Sequence, residues 1–168
     1  MDNSFFGYLQ RLEFMAFFSG FPLLYAVIIV IAGNKQSRTN FRNWLVPLLP
    51  YAYALVGTLF LGLQLRNLYP DYSFENIKNS LQQPWLMIWG GLSILFWIPV
   101  FAKKPVFCLL HSLVFFFFLL KDLFEPDKNM IRNDMKIYTD SLLLNLGAFI
   151  LLVLLSFLFT RYKYRRKL

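Results

Sequence analysis

The sequence predicts an all-α integral membrane protein: a five-transmembrane-helix bundle with the N-terminus outside, the C-terminus cytoplasmic, and short amphipathic surface helices in the outer links. Hydrophobic residues make up 58% of the 168 residues and charged residues only 15%, against about 25% charged residues in soluble proteins. This excess of apolar side chains is too large for the core of a soluble domain of this size. Apolar runs of spanning length alternate with short charged links, so the chain is expected to form a single transmembrane helical domain covering residues 1–168.

The chain begins with a mixed segment, residues 1–13, in which aromatic residues stand among a few charges. This composition fits either a short helix in the lipid headgroup layer or an early start of the first span. Span 1 is predicted at 14–32, and Gly33-Asn34 ends it. Because the apolar run is long and lacks an Ala-x-Ala exit, we expect it to stay in the membrane rather than to be removed as a signal peptide.

Span 2 is predicted at 44–65, with Trp44 at the level of the membrane interface. The polar link after it, 66–83, contains a Tyr-Pro-Asp turn and a candidate surface helix beginning at Ser73. Residues at helical spacing in span 2 form a face that we expect to turn towards other helices rather than towards lipid. They are Tyr53, Gly57, Phe60 and Gln64.

Two further spans are predicted at 84–101 and 105–121, each opened by a proline at the first helical position. The second of them begins with sixteen nearly unbroken apolar residues, 105–120. A membrane span needs about 20 apolar residues, with a range of about 17–25, so this run is near the lower limit. Only a short link containing Lys103 and Lys104 joins the two spans, and a link of this length predicts an antiparallel helical hairpin.

The link at 121–140 mixes charges of both signs and has Ile131, Met135 and Tyr138 at helical spacing. This pattern predicts a second amphipathic surface helix. Span 5 follows at 141–160, and the basic C-terminal tail ends the chain. Four residues of span 5 lie close to one helical face: Asn145, Ala148, Leu152 and Ser156.

The charges of the links decide the predicted orientation. The links after spans 1 and 3 and the C-terminal tail hold basic residues and no acid, whereas all nine Asp and Glu residues lie in the N-terminal segment and the other two links. Basic residues concentrate on the cytoplasmic side of membrane proteins. The N-terminus is therefore expected outside and the C-terminus in the cytoplasm, which requires an odd number of spans.

His111, the only histidine, lies deep inside span 4. Ionisable groups inside the membrane are costly and often functional, so one hypothesis is a histidine that carries protons or contacts a ligand. The simpler hypothesis is a neutral imidazole that is hydrogen-bonded to a neighbouring helix through Gln64, Asn145 or Ser156. Cys108 is expected to act as a small buried hydrophobe. The candidate intramembrane polar contacts are His111, Cys108, Ser112, Gln64, Tyr53, Asn145 and Ser156.

No motif in the sequence identifies a reaction. There is no Gly-rich phosphate loop, nucleophile elbow, HExxH or CxxC, and one histidine with one cysteine offers too few donors for a metal. No catalytic residue, cofactor or metal site is predicted.

The net charge of +8 would suit a protein that binds nucleic acid. The basic residues lie at the ends of the spans, however, so no nucleic-acid partner is predicted. The basic tail is a topology anchor, a set of lipid-headgroup contacts, or both; its residues are Arg161, Lys163, Arg165, Arg166 and Lys167.

These observations predict a non-catalytic integral membrane subunit, or an accessory or scaffold protein, of a larger membrane complex. Its expected partners are other integral membrane proteins and membrane lipids. The alternative is a small proton-coupled carrier or channel that uses His111. The outer links contain neither a cysteine nor an Asn-x-Ser/Thr sequon, which favours a multi-pass protein of a bacterial plasma (inner) membrane.

The predicted orientation can be tested with a reporter that is active only in the cytoplasm. We expect the reporter to work when it is fused after Leu168 and to fail when it is inserted near Asp71, because basic segments face the cytoplasm. Fluorescence or enzyme activity of the reporter in intact cells is the measurement. Activity at Asp71 would contradict the orientation.

Overall fold

A computed structural model of the protein describes residues 14–33, 43–69, 72, 84–123 and 128–165. Within these ranges the chain forms helices and no strand. The α-helices are α1 (Phe21–Gly33), α2 (Leu48–Leu68), α3 (Pro84–Gly91), α4 (Pro99–Ala102), α5 (Pro105–Leu123) and α6 (Lys128–Arg165), and two 3₁₀ helices cover Phe14–Phe17 and Leu92–Trp97.

Three of the described helical segments are long and apolar enough to cross a membrane: Met15–Ala32, Asn43–Leu68 and Met135–Phe159. They coincide with predicted spans 1, 2 and 5. Predicted spans 3 and 4 correspond to the shorter apolar helices Trp85–Trp97 and Pro105–Lys121. The protein is therefore all-helical with three candidate membrane-spanning helices, and the count of five spans stays a prediction.

The predicted hairpin between spans 3 and 4 is confirmed by contacts between its arms. The rings of Trp85 and Phe118 lie 5.1 Å apart, centroid to centroid, near one end. Further along, the indole Nε1 of Trp89 donates a hydrogen bond of 3.2 Å to the carbonyl oxygen of His111. The arms thus run antiparallel, because residues early in one arm meet residues late in the other.

The expectation of one continuous helix over 84–101 is wrong. Helix α3 passes into the second 3₁₀ helix at Leu92, and the chain is extended at Ile98, with φ −76° and ψ 126°, before α4 begins. Ile98 precedes Pro99, and the ring of a proline disfavours helical backbone angles at the preceding residue. A 3₁₀ helix rises about 2.0 Å per residue against about 1.5 Å in an α-helix, so this stretch lengthens a short arm.

The predicted second surface helix and span 5 form one helix, α6, of 38 residues. The boundary expected near residue 140 is absent because the polar residues there bond locally or to other segments instead of capping a new helix. The hydroxyl of Thr139 donates to the carbonyl oxygen of Met135 at 2.8 Å, and the hydroxyl of Ser141 accepts from Gly20 N at 2.7 Å. At about 1.5 Å per residue, α6 is about 57 Å long, nearly twice the hydrocarbon thickness of a bilayer.

Other sequence predictions fall outside the described residues. These are the N-terminal segment 1–13, the basic link after span 1, and the candidate surface helix that begins at Ser73. All three stay predictions.

Contacts at two levels fix the relative directions of the long helices. At one level, the rings of Phe17 and Phe60 lie 5.4 Å apart, and Asn145 Nδ2 donates to the carbonyl oxygen of Phe17 at 2.9 Å. At the other level, Trp44 Nε1 donates to the hydroxyl of Ser156 at 3.2 Å. Helix α2 therefore runs antiparallel to α6, and the segment that begins at Phe14 enters the bundle at the same level as the middle of α6.

An aromatic cluster fills the centre of the bundle. The Phe18 ring contacts the rings of Tyr53, Phe60 and Phe115 at centroid distances of 5.5, 5.4 and 4.6 Å. Aromatic pairs at such distances add about 0.5–1.5 kcal/mol each beyond their buried area. Six aromatic side chains of this core are fully buried: Phe17, Phe18, Phe21, Tyr53, Phe60 and Phe115.

Gly57 lies where α2 packs closely against Ser93 of the second 3₁₀ helix. A Cβ added at Gly57 would overlap the hydroxyl oxygen of Ser93 and lie 2.8 Å from the Ser93 Cβ. Small residues at helix contacts let backbones approach closely inside membranes. This position therefore requires glycine for space.

We expect Gly57→Ala to lower the free energy of unfolding by about 1–3 kcal/mol, the usual cost of overpacking. Gly62→Ala is the matched control on the same helix, because a Cβ there meets no atom within 4 Å. Unfolding of the purified protein in detergent micelles is the measurement. Adding Ser93→Gly to Gly57→Ala should recover part of the loss, and equal stability of the two single variants would contradict the contact.

Candidate functional site

The candidate site is the polar centre, which we define as Tyr53 of α2, Trp89 of α3 and His111 of α5. The hydroxyl oxygen of Tyr53 lies 2.6 Å from His111 Nδ1. On the other side of the ring, His111 Nε2 lies 2.8 Å from the carbonyl oxygen of Trp89. Three helices thus meet through the two nitrogens of one imidazole.

The partners of the imidazole fix its tautomer. The carbonyl oxygen of Trp89 can only accept a hydrogen bond, so His111 Nε2 carries the hydrogen and donates it. In a neutral imidazole Nδ1 is then the acceptor, and the Tyr53 hydroxyl donates to it. The neutral ring therefore has both nitrogens paired inside the bundle.

Aromatic rings enclose the polar centre. The His111 ring stacks on the indole of Trp89 with centroids 4.8 Å apart and planes 7° apart. The rings of Phe18 and Phe96 meet the imidazole edge-on at 6.3 and 5.9 Å. His111 is 8% exposed and Tyr53 is fully buried. The enclosure keeps other hydrogen-bonding groups away, so breaking either bond would leave a buried polar atom without a partner.

The sequence predicted two members of this centre but not their connection. Tyr53 and His111 were both candidate polar contacts, and the structure brings them together. The partners expected for His111, which were Gln64, Asn145 and Ser156, are wrong, because Tyr53 and the Trp89 backbone carbonyl take both nitrogens. The contribution of Trp89 was missed, since a backbone carbonyl leaves no mark in a sequence.

A second buried polar cluster joins residues 17–20 to α6; we call it the N-terminal clamp. Asn145 Nδ2 donates to the carbonyl oxygens of Phe17 and Ser141 at 2.9 and 2.8 Å, and the backbone N of Gly20 donates to the Ser141 hydroxyl at 2.7 Å. Residues 18–20 form the turn between the first 3₁₀ helix and α1. Most of the turn's backbone hydrogen bonds are local, whereas side chains of α6 pair the N–H of Gly20 and the carbonyl oxygen of Phe17.

Gly20 brings the clamp together. A Cβ at Gly20 would lie only 2.6 Å from the backbone nitrogen of Leu142. A larger residue at this position would therefore push α6 away. Asn145 Oδ1 and Ser19 Oγ are buried and have no hydrogen-bond partner within the described part of the chain. The amide of Asn145 acts through its two donors, which both point at carbonyl oxygens.

The remaining candidate polar residues bond within their own helices or elsewhere in the bundle. The Cys108 thiol donates to the carbonyl oxygen of Pro105, and the Ser112 hydroxyl donates to that of Leu109, both at 2.8 Å. Ser156 accepts from Trp44, as described above, and Gln64 is half-buried near the end of α2.

The described part of α6 ends at Arg165, and the lipid contacts predicted for the basic tail fall outside the described side chains. Among the described residues, no three His, Cys, Asp or Glu side chains come together in a group that could hold a metal ion. The polar centre and the N-terminal clamp are therefore the sites where the described structure concentrates buried polar contacts between helices.

Comparison with known proteins identifies no relative. No protein-family model matches the chain, and neither the curated proteins nor the solved structures yield a match.

The role of the polar centre can be tested with Tyr53→Phe. This change leaves His111 Nδ1 buried without a donor, so we expect the free energy of unfolding to fall by about 1–3 kcal/mol. Tyr51→Phe is the control, because Tyr51 lies on the same helix and is only half-buried; it should change stability by less than about 0.5 kcal/mol. Unfolding in detergent micelles is the measurement.

A double-mutant cycle makes the test specific. His111→Phe added to Tyr53→Phe removes the unpaired nitrogen, so the two changes should couple by about 0.5–3 kcal/mol. Additive losses, or a Tyr53→Phe variant as stable as Tyr51→Phe, would contradict the hydrogen bond.

Proposed function

We propose that this protein is a non-catalytic integral membrane subunit, or scaffold, that docks against another membrane protein through α6. The observation that carries the proposal is the poor coverage of this helix. Within Met135–Phe159, only 22% of the 18-residue stretch that could span the membrane is buried within the chain. The corresponding share is 50% in each of the segments Met15–Ala32 and Asn43–Leu68. The most apolar of the three candidate membrane-spanning segments is thus also the least covered by the chain itself.

An exposed stripe follows one side of α6, and we call it the outer stripe. Its residues stand at i, i+4, i+8 and i+11 and are each 42–58% exposed, so they project from one face. They are Leu146, Ile150, Leu154 and Phe157. A second helix could lie along this stripe for about 17 Å, three helical turns.

Exposure to lipid alone does not require a partner, because lipid tails are as apolar as leucine. The length of α6 adds the second argument. A helix of about 57 Å extends beyond a hydrocarbon layer of about 30 Å, so its polar ends can meet a partner outside the layer as well as within it. Docking over this length would give a partner both an apolar contact and polar contacts that set its position.

The buried polar groups support a structural role over the carrier alternative. A proton carrier needs a histidine that gains and loses its proton from both sides of the membrane. In the polar centre, both nitrogens of His111 are already paired within the chain. The N-terminal clamp likewise uses the donors of Asn145 to hold two segments together.

The proposed setting is a bacterial plasma (inner) membrane, with other integral membrane proteins and lipids as partners. The basic tail, from Arg161 to Lys167, would lie against anionic headgroups, each basic residue contributing about 1 kcal/mol. These proposals rest on the charge pattern and on the missing sequon and cysteine of the outer links.

Site-specific photocrosslinking tests the docking proposal. We expect a photoreactive amino acid at Ile150 to form a crosslink in cells to one defined membrane protein, which co-purifies in mild detergent at a fixed ratio. The control is the same amino acid at Val30, which is 65% exposed on α1 and should not crosslink to that protein. Mass spectrometry of the adduct is the measurement.

The result that would contradict the proposal is equally specific. A monodisperse particle containing a single copy of the chain, with no adduct from Ile150 and with solute transport after reconstitution, would favour the carrier alternative. Loss of that transport in His111→Gln would then identify the histidine as its functional group.

A further inference from the structure

A lateral groove of about 670 Å³ lies between α2 and α6. Leucines of both helices form its walls, among them Leu55, Leu59 and Leu151, and Asp140 is the first of its lining residues along α6. Pockets that hold small molecules measure about 300–1,000 Å³. The groove is thus large enough for a ligand and is apolar except at one end.

Gly147 is one of the residues that line the groove. A Cβ at this position would meet no heavy atom within 4 Å, so close packing within the described chain does not require glycine here. Glycine in a helix interior costs about 1 kcal/mol relative to alanine. The missing side chain instead leaves room for something that lies along the groove.

The shape and the charge of the groove together indicate its ligand. From Asp140 to Leu151 the groove follows about three turns of α6, or about 17 Å. Asp140 is the only charged side chain among the lining residues that the structure describes. A hydrocarbon chain that ends in a cation complements both features.

Asp140 already has a polar or electrostatic contact within the chain. A carboxylate offers about four lone-pair sites and can accept several hydrogen bonds at once. An ammonium group can therefore join the existing contact, and a charge-assisted hydrogen bond to it is about twice as strong as a neutral one.

We propose that this groove binds a long-chain amphiphile with a primary ammonium head. The hydrocarbon chain lies over Gly147 between the leucine walls, and the ammonium donates to the carboxylate of Asp140. Binding of this amphiphile is independent of the proposed docking, because the outer stripe lies about a quarter turn around α6 from the residues that line the groove.

Equilibrium binding of radiolabelled dodecylamine to the full-length protein in maltoside micelles tests the proposal. Unlabelled dodecanol, of the same chain length but uncharged, is the competitor that separates the head from the chain. We expect dodecylamine to bind at least tenfold more tightly than dodecanol. Asp140→Asn should reduce this preference to less than about threefold.

Gly147→Leu fills the groove and should weaken dodecylamine binding at least tenfold. Gly62→Leu is its matched control, because Gly62 is also an exposed helical glycine with no atom within 4 Å of an added Cβ, yet it does not line the groove. Binding by Gly62→Leu should equal that of the unchanged protein. An unchanged unfolding midpoint in both variants establishes that they are folded.

Three results would overturn the proposal. Equal affinities for dodecylamine and dodecanol would mean that the groove binds hydrocarbon chains without recognising the ammonium group. Full binding by Gly147→Leu would place the ligand elsewhere. A tightly bound protein that must be removed before dodecylamine binds, and that crosslinks to position 151, would assign the groove to a partner helix.

Discussion

The two hydrogen bonds of the His111 imidazole are the interaction on which the arrangement of the helices depends. They tie α5 to Tyr53 of α2 and to the backbone of α3. In a hydrocarbon environment no water can replace a lost partner, so each buried polar atom must find one inside the protein. The hairpin arms are short for membrane helices, and this centre gives them a fixed position against α2.

Close backbone approach is the second constraint, and it explains why glycine and aromatic residues share the core. Lipid tails remove most of the hydrophobic drive for association, so helices in membranes are held by packing and by hydrogen bonds. Gly57 and Gly20 allow neighbouring segments to approach until backbone and side chain touch. Phenylalanine rings then fill the wider gaps around Phe18.

Helix α6 divides these roles between its faces. Its inner face carries Ser141 and Asn145, which form hydrogen bonds to the backbone of Gly20 and Phe17. A second face forms the groove with α2, and a third presents the outer stripe. The inner contacts leave the other two faces available for molecules outside the chain. This division is why the docking and the amphiphile proposals can be tested separately.

The sequence by itself determined the helical class, the positions of the three long apolar helices and the antiparallel hairpin. The length of an apolar run and the length of the link after it can be read directly from the chain, and the thickness of the hydrocarbon layer says which runs can span it. It also marked Tyr53, His111 and Asn145 as polar contacts. Only the tertiary structure decided that Trp89 supplies a backbone carbonyl to His111, that α6 continues through residue 140, and where the groove over Gly147 lies. Those features depend on which segments meet and at what distance, and no periodicity along one helix encodes the partner that lies across from it.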